Sequence, residues 1–268
     1  LQQVEKCFSV MDAWEYNGKH LMYVPQSGDW ADEYIQHGYV LFNQLLRIWA
    51  LKLAGEVFSR NSWTEKAAAI TSVVQYNYWN SQEARNLFAP NLAHQLEHAP
   101  LDFWFMGFNP SRIYSQFDLQ ANVLTLLLGI GNEDQDNTLV RLLTGFHEKK
   151  QNLLPSFFPS IGFDDPDMLE LQHNYAYSFR NLPGEFHNGG LWPVWNGWLA
   201  AALCVKNQNA LARAITADIE KANRINNHEF NECLHAETGQ PIGIPHCTWS
   251  AGGHVLAINY LEGKRLFT

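Results

Sequence analysis

The stretch that decides the fold is YVLFNQLLRIWALKLA, residues 39–54. It is apolar nearly all round, with only Asn43, Gln44, Arg47 and Lys52 breaking the pattern. A helix apolar on every face must be covered on every face. Gly55 follows it and reads as a C′ stop. Three later stretches repeat the pattern: residues 119–130 (LQANVLTLLLGI), 191–203 (LWPVWNGWLAAAL) and 249–261. Pro193 sits near the start of the third, where proline is tolerated.

Between them lie segments of a different kind. Residues 64–79 mix small and apolar residues with Glu65, Lys66, Gln75 and Asn77. Residues 135–149 put Leu139, Val140, Leu142, Leu143 and Phe146 on one side, and residues 207–222 do the same with Leu211, Ile215 and Ile219. A further helix end is expected around residues 4–12. The order is buried helix, amphipathic helix, three times over, then one more buried helix. An amphipathic helix covers one side of a neighbour only. Concentric rings, buried set inside and amphipathic set outside, satisfy both kinds. The predicted class is therefore all-α, an (α/α)6 toroid of helical hairpins.

The connections support this. Those from amphipathic to buried helices are long: residues 80–118, 151–190 and 223–248. Those in the other direction are short, as at 131–134 and 204–206. In a toroid the long loops then share one rim, at the N-termini of the inner helices. Long loops in a compact domain are usually functional. Short strand hairpins fit within them, but no strong strand pattern competes. A full ring needs twelve helices, and seven are counted besides the one near residue 4. The chain reads as a single toroid domain over 1–268, shortened or lacking its N-terminal helices.

Composition narrows the chemistry. The chain has 268 residues, of which 46% are hydrophobic and only 17% charged, against the usual ~25%. Its net charge of −9 with 18 Lys+Arg argues against nucleic acid, which needs a basic face. Aromatics reach 13%, with 10 Trp, and rings lining a concave surface suit sugars. Four scattered cysteines form no CxxC pair, so neither a zinc ribbon nor a disulfide scaffold is expected, and a reduced cytoplasmic setting is favoured. No apolar run of about 18 or more suggests a membrane span. The start, Leu1-Gln2-Gln3, is neither an initiator Met nor a signal peptide.

Four motifs stand at the expected rim. Gly28-Asp29-Trp30-Ala31-Asp32-Glu33 places three acids beside a Trp. One could be a general acid in a partly dry neighbourhood, or all three could be first-turn acids favoured by a helix dipole. Glu232 precedes Cys233-Leu234-His235-Ala236-Glu237-Thr238-Gly239 and reads as a general base or as a solvated loop residue. Thr248 or Ser250 would cap the last helix, and Gly252 and Gly253 would let it approach a neighbour closely. In Phe186-His187-Asn188-Gly189-Gly190-Leu191-Trp192, His187 and Asn188 offer hydrogen bonds to hydroxyls, or the segment is only a glycine-rich turn. Asp118 reads as an N-cap, and Asn122 inside an apolar helix as a partner for nearby backbone. Acids on separate loops of one rim are what glycoside hydrolysis needs.

Taken in order, DWAD (29–32), FD-x-x-x-N (117–122), HNGG-x-WP (187–193), E-x-x-x-x-x-TG (232–239) and TWSAGG (248–253) resemble the C-terminal two-thirds of the neutral/alkaline invertases. They also resemble the wider α/α-toroid glycosidases of the glycogen-debranching, trehalase and processing α-glucosidase types. The resemblance implies metal-free, cofactor-free hydrolysis of a small α-glucoside with inversion, sucrose favoured. It implies Asp32 as general acid, with Asp29 as its substitute. It implies Glu232 as general base, although Cys233, Leu234 and His235 replace the aromatics and acid of that family pattern, leaving Glu229 and Glu237 as rivals. It places Asp29, His187, Asn188 and Gly189 against the saccharide, and Trp30, Trp192, Trp195 and Trp249, at or just after the starts of the buried helices, are expected to converge on the same rim. The expected partner is a small saccharide, without nucleic acid or membrane. The short N-terminus would leave inner-helix flanks bare, so a homo-oligomer, a covering partner segment or an open, inactive cleft is expected. Two other readings remain: a non-catalytic carbohydrate-binding relic, and a sugar epimerase using His187 and His246 as an acid–base pair.

Overall fold

A computed structural model describes residues 1–16, 18–79 and 101–266. Part of the long 80–118 connection therefore lies outside the described residues. The helices among the described residues are α1 (Gln2–Ala13), α2 (Leu41–Val57), α3 (Asn61–Asn77), α4 (Leu119–Leu128), α5 (Glu133–Lys150), α6 (Met168–His173), α7 (Pro193–Val205), α8 (Asn209–His228) and α9 (Thr248–Leu261). Short strands join them: β1 (Tyr39–Val40), β2 (Phe105–Phe108), β3 (Ile113–Asp118), β4 (Phe157–Phe158), β5 (Cys233–Leu234) and β6 (Pro241–Ile242). The chain forms two compact units, Leu1–Asp32 with Gln36–Ser115, and Glu33–Ile35 with Gln116–Thr268.

In the first unit α2 and α3 form a hairpin. Gly55 does not end α2, as the sequence suggests; the helix runs on to Val57. A Cβ on Gly55 would stand 2.6 Å from Thr64 Cγ2, so the glycine serves close helix approach. Helix α1 docks through Phe8, whose ring meets Trp63 edge-on at 5.0 Å. Buried Arg47 holds both Asp12 and Glu15 and donates to the carbonyl of His20. Buried Gln44 clamps both backbone groups of Met22. A two-way Val24–Gly38 bridge, 2.7 Å in each direction, closes the base of the 25–37 loop. Strand β1 pairs antiparallel with β2, Tyr39 opposite Phe108.

The second unit contains two helical hairpins and α9. Asp118 caps α4 by accepting from Ala121 N at 2.8 Å, and Gly129 ends it in the left-handed region, which glycine enters freely. Asn122 donates back to the carbonyl of Asp118, the backbone role expected for it. Helix α5 opens with an Asn132–Gln135 capping box and first-turn acids, and closes with His147, Lys149 and Lys150, matching the helix dipole. It is latched to α8 by His147–Asp218 at 2.9 Å, and Lys206 just before α8 pairs with Asp136 at 2.6 Å. Helices α4 and α7 carry no exposed residue, as their mostly apolar sequences require, and the few polar residues within them, Gln120, Asn122, Thr125 and Asn196, are buried.

Three local expectations are corrected. The 28–33 acids lie in turns, and α2 starts only at Leu41, so they are not first-turn acids. Neither Thr248 nor Ser250 caps α9; Cys247 occupies the N-cap without a side-chain bond, and Ser250 Oγ instead donates to the carbonyl of Asn231 at 2.9 Å. Helix α6 lies within the 151–190 connection read as a loop, whereas the β5–β6 hairpin is of the short kind expected to fit such connections.

Helices α7 and α9 meet at Gly197 and Gly253. A Cβ on Gly197 would overlap the backbone of Gly253, and one on Gly253 would lie 2.7 Å from Val194 Cα and 2.9 Å from the Pro193 carbonyl oxygen. Backbone cannot move aside as a flexible side chain can. Gly253→Ala is expected to cost about 1–3 kcal/mol, lowering Tm by about 2–4 °C per kcal/mol. Gly252→Ala, with no atom within 4 Å of its Cβ position, is the control, and thermal melts of both variants check the contrast.

Candidate active site

The site grows from a turn in the second unit. Residues 184–190 fold back on themselves: Gly184 N donates to the carbonyl of Asn188 and Gly190 N to that of Phe186. Gly189 has φ +97, and a Cβ on Gly190 would sit 2.6 Å from Cys233 Sγ and 2.7 Å from Phe186 N. The turn is therefore pressed against β5, and Leu191 and Leu234 exchange both backbone hydrogen bonds at 2.8 and 2.9 Å. This joins the HNGG segment to the segment carrying Glu232.

Asn181 is the node beneath. Its Oδ1 accepts from His187 N at 2.9 Å, its Nδ2 donates to the carbonyl of Glu33 at 3.2 Å, and its carbonyl accepts from Asn188 Nδ2 at 3.1 Å. Buried Glu33 accepts from Ala176 N at 3.2 Å and pairs with Arg180 at 3.4 Å. Tyr34 stacks on Phe157 at 4.4 Å, and its carbonyl accepts from Asn174 Nδ2. Residues 33–35, which directly follow Asp32 in the chain, are thus built into the same network as His187.

His187 is buried, and its ring stacks on Trp192 with 4° between planes. Burial, reinforced by the Arg180 charge, pushes its pKa down to about 3, so it is a neutral imidazole at ordinary pH. Trp192 donates its indole N–H to the carbonyl of Phe186 and meets half-exposed Trp249 edge-on at 6.0 Å. Asn188 is fully buried and spends its amide on backbone: Oδ1 accepts from Ile161 N, and Nδ2 donates to the carbonyls of Ile161 and Asn181. Gly189 is buried beside it, its Cβ position 3.2 Å from Ser160 Cβ. Trp195 is half-buried on α7.

Glu232 stands at the start of β5. Its N–H donates to the carbonyl of Ile244, and its Oε2 accepts from Ile244 N at 3.2 Å. Gly243, at φ +82, faces that carboxylate so closely that any Cβ there would strike it. Its two rivals differ in setting. Glu229 is held by Asn226 Nδ2 at 2.8 Å, and Glu237 is exposed in the tight turn of the β5–β6 hairpin, where Gly239 takes φ +67. The TG pair of the motif is that turn. A cavity of about 500 Å³ lies on another side of the 184–190 turn, lined by Phe146, Leu153, Pro155, Phe158, Gly184 and Gly189; neither His187 nor Glu232 borders it.

The other acids lie in the first unit, in the loop closed by the Val24–Gly38 bridge. Asp32 is exposed and Trp30 half-buried. Asp29 Oδ1 accepts from Ala31 N at 2.9 Å and from Gln36 Nε2 at 2.8 Å, while Oδ2 is buried with Asn43 beside it. Burial outweighs these hydrogen bonds and, with the Asp32 charge, raises the Asp29 pKa to about 6. Asn181 and Gly243 escape the sequence reading. A glycine before an aliphatic residue and an asparagine in a loop carry no periodic signal.

The Asp29 shift fixes a sign for stability against pH. Its pKa is higher in the folded state than the ordinary 3.8. The stabilisation it gives is therefore complete below pH 3.8 and is lost as pH rises through about 6. Asp29→Asn never ionises, so its stability relative to wild type should rise between about pH 4 and 7 by up to about 3 kcal/mol. Urea unfolding at the two pH values measures this, and an unchanged difference would remove Asp29 as a buried titrating acid.

Comparison with known proteins places the chain. Residues 80–263 match the family model described as alkaline and neutral invertase. The alkaline/neutral invertase C, mitochondrial, of Arabidopsis thaliana is 26% identical over 166 residues, covering 59% of this chain and 24% of that protein. Among solved structures, a GH63 mannosylglycerate hydrolase from Thermus thermophilus, in complex with Tris, is similar at TM-score 0.56 and 17% identity, over 84% of this chain and 45% of that one. Its glucose complex gives 0.55 and 17%, over 84% and 48%. A bacterial glucoamylase with acarbose gives 0.55 and 14%, over 85% and 34%. These structures are α/α-toroid glycosidases, so the expected fold class stands. The match spans about a quarter of the curated relative's length and less than half of each structural neighbour's. With its family model covering most of the chain, the protein belongs to the alkaline and neutral invertase family.

Proposed function

We propose that this chain is a toroid catalytic domain of an inverting glycoside hydrolase acting on a small α-glucoside, sucrose first. Family membership supports hydrolysis of a glycosidic bond. The observation that carries the site is the Asn181 node, which ties Glu33, next in the chain to Asp32, to His187 and through the Leu191–Leu234 bridge to the Glu232 segment.

In this reading Asp32 protonates the leaving oxygen and Glu232 activates the attacking water. An inverting mechanism needs room for that water between the acid and the base. Glu232 is favoured over its rivals because Ile244 N fixes its carboxylate and Gly243 leaves space for it. Asp29 is the buried neighbour of the acid loop. Trp30, Trp192 and Trp249 offer rings to the pyranose face, with Trp249 the most exposed. His187 serves as a neutral hydrogen-bonding group, while Asn188 and Gly189 act by holding the turn. A His187–His246 acid–base pair, as an epimerase needs, finds no support in a His187 whose pKa lies near 3. All four cysteines are free thiols, which favours a reducing, cytoplasmic setting. No described helix is long and apolar enough to cross a membrane.

The test is turnover of sucrose, trehalose and maltose followed by proton NMR. Sucrose should release β-glucose first, since inversion converts the α-linkage. Asp32→Asn and Glu232→Gln should each lower kcat about 10²–10⁴-fold with unchanged melting. Initial release of α-glucose would overturn inversion, and wild-type activity in Glu232→Gln would move the base to Glu229 or Glu237.

A further inference from the structure

The cavity of about 500 Å³ beside the 184–190 turn takes no part in the proposed hydrolysis, since neither His187 nor Glu232 borders it. All of its lining belongs to the second unit. Part of that lining is apolar, with Phe146, Leu153, Pro155 and Phe158. Phe158 meets Phe146 edge-on at 5.1 Å and is 42% exposed, so one of the two rings stands partly in water.

The rest of the lining is polar and supplies donors. Lys149 and Lys150, at the end of α5, have no ion pair or hydrogen bond among the described residues. Asn152 spends its Oδ1 on Leu153 N at 2.8 Å, and its Nδ2 has no partner among those residues. The Ser160 hydroxyl has none there either. Against the two lysines the lining sets a single acid, Glu237, on a chain of formal net charge −9. The α5 dipole favours cations at this helix end, but it does not account for an apolar hollow and two further donors beside them.

We propose that this cavity binds a small organic anion built on a ring, such as an aryl phosphate. The ring lies against Phe146 and Phe158, and the anionic group is taken by Lys149, Lys150, Asn152 and Ser160. Charge complementarity chooses an anion, because charge-assisted hydrogen bonds are the strong ones. The apolar walls choose the ring. A neutral saccharide fits less well, since its hydroxyls would go unmet against Phe146, Leu153 and Pro155. The volume is that of ordinary small-molecule sites, about 300–1,000 Å³. Gly184 and Gly189 also belong to the lining, so the occupant touches the turn that carries His187 without entering the saccharide site.

The test is calorimetric titration of the 268-residue chain with phenyl phosphate, and with phenol and inorganic phosphate as its two halves. Phenyl phosphate should bind once per chain, and each half about 10-fold or more weakly. Lys149→Gln/Lys150→Gln should weaken phenyl phosphate about 10-fold or more with an unchanged Tm, as both side chains are exposed. Lys149→Arg/Lys150→Arg should keep it. Phe158→Ala should weaken phenyl phosphate and leave inorganic phosphate unchanged, and Phe158→Leu repeats that arm if the alanine variant melts early. Saturating sucrose should not displace the probe. No binding at millimolar phenyl phosphate would overturn the proposal, as would phenol or inorganic phosphate binding equally well. Binding that survives the glutamine pair, or that sucrose displaces, would place the probe elsewhere and overturn it too.

Discussion

The candidate site depends on one buried side chain, Asn181. It accepts from His187 N, donates to the carbonyl of Glu33, and its own carbonyl receives Asn188 Nδ2. An amide is suited to this because it offers a donor and an acceptor on one planar group. An aspartate could not donate to the Glu33 carbonyl. An alanine would leave a buried carbonyl and a buried N–H unmet, at about 1–3 kcal/mol each. Neither partner segment is regular secondary structure. The amide therefore does for residues 33 and 187 what a ladder of backbone bonds does for strands.

Glycines do the corresponding work at the helices. Trp192 lies just before α7, and Trp249 lies in the first turn of α9. Their edge-on contact at 6.0 Å follows from the close crossing at Gly197 and Gly253, because a shorter interaxial distance brings the helix starts together. The same logic operates at Gly190, where only hydrogen separates the turn from Cys233. The ring cluster beside the proposed catalytic base is set by residues that have no side chains.

The helices are legible because burial leaves a strong signal. A stretch such as residues 119–126, buried at every position, is written mostly in apolar letters, and polar Asn122 and Thr125 turn their side chains back to helix backbone. Caps and amphipathic faces carry almost as much information, as Asp118 and the buried Leu139 and Leu143 of α5 show. What the sequence hides is the meaning of single residues. Gly55 looks the same in sequence whether it stops a helix or admits a neighbour, and only the Thr64 methyl decides. Ser250 resembles a cap until Asn231 is found beside it. Asn188 looks in sequence like a partner for hydroxyls, but its amide is committed to backbone from two loops. Those partners lie 27 and seven residues away, beyond the reach of any local pattern.

The two aspartates of the DWAD motif show how one short loop can separate roles. Asp29 is held by Ala31 N and Gln36 Nε2 with its Oδ2 buried, and its proton is retained to about pH 6. Asp32, three residues on, is open to solvent. A structural carboxylate has to be fixed, whereas one that hands a proton to substrate has to be reachable. On geometry alone, Asp29 is the fixed carboxylate of the loop and Asp32 the one open to solvent. The same division recurs around Glu232, where Gly243 and Ile244 provide the fixed backbone and the carboxylate itself stays half-exposed.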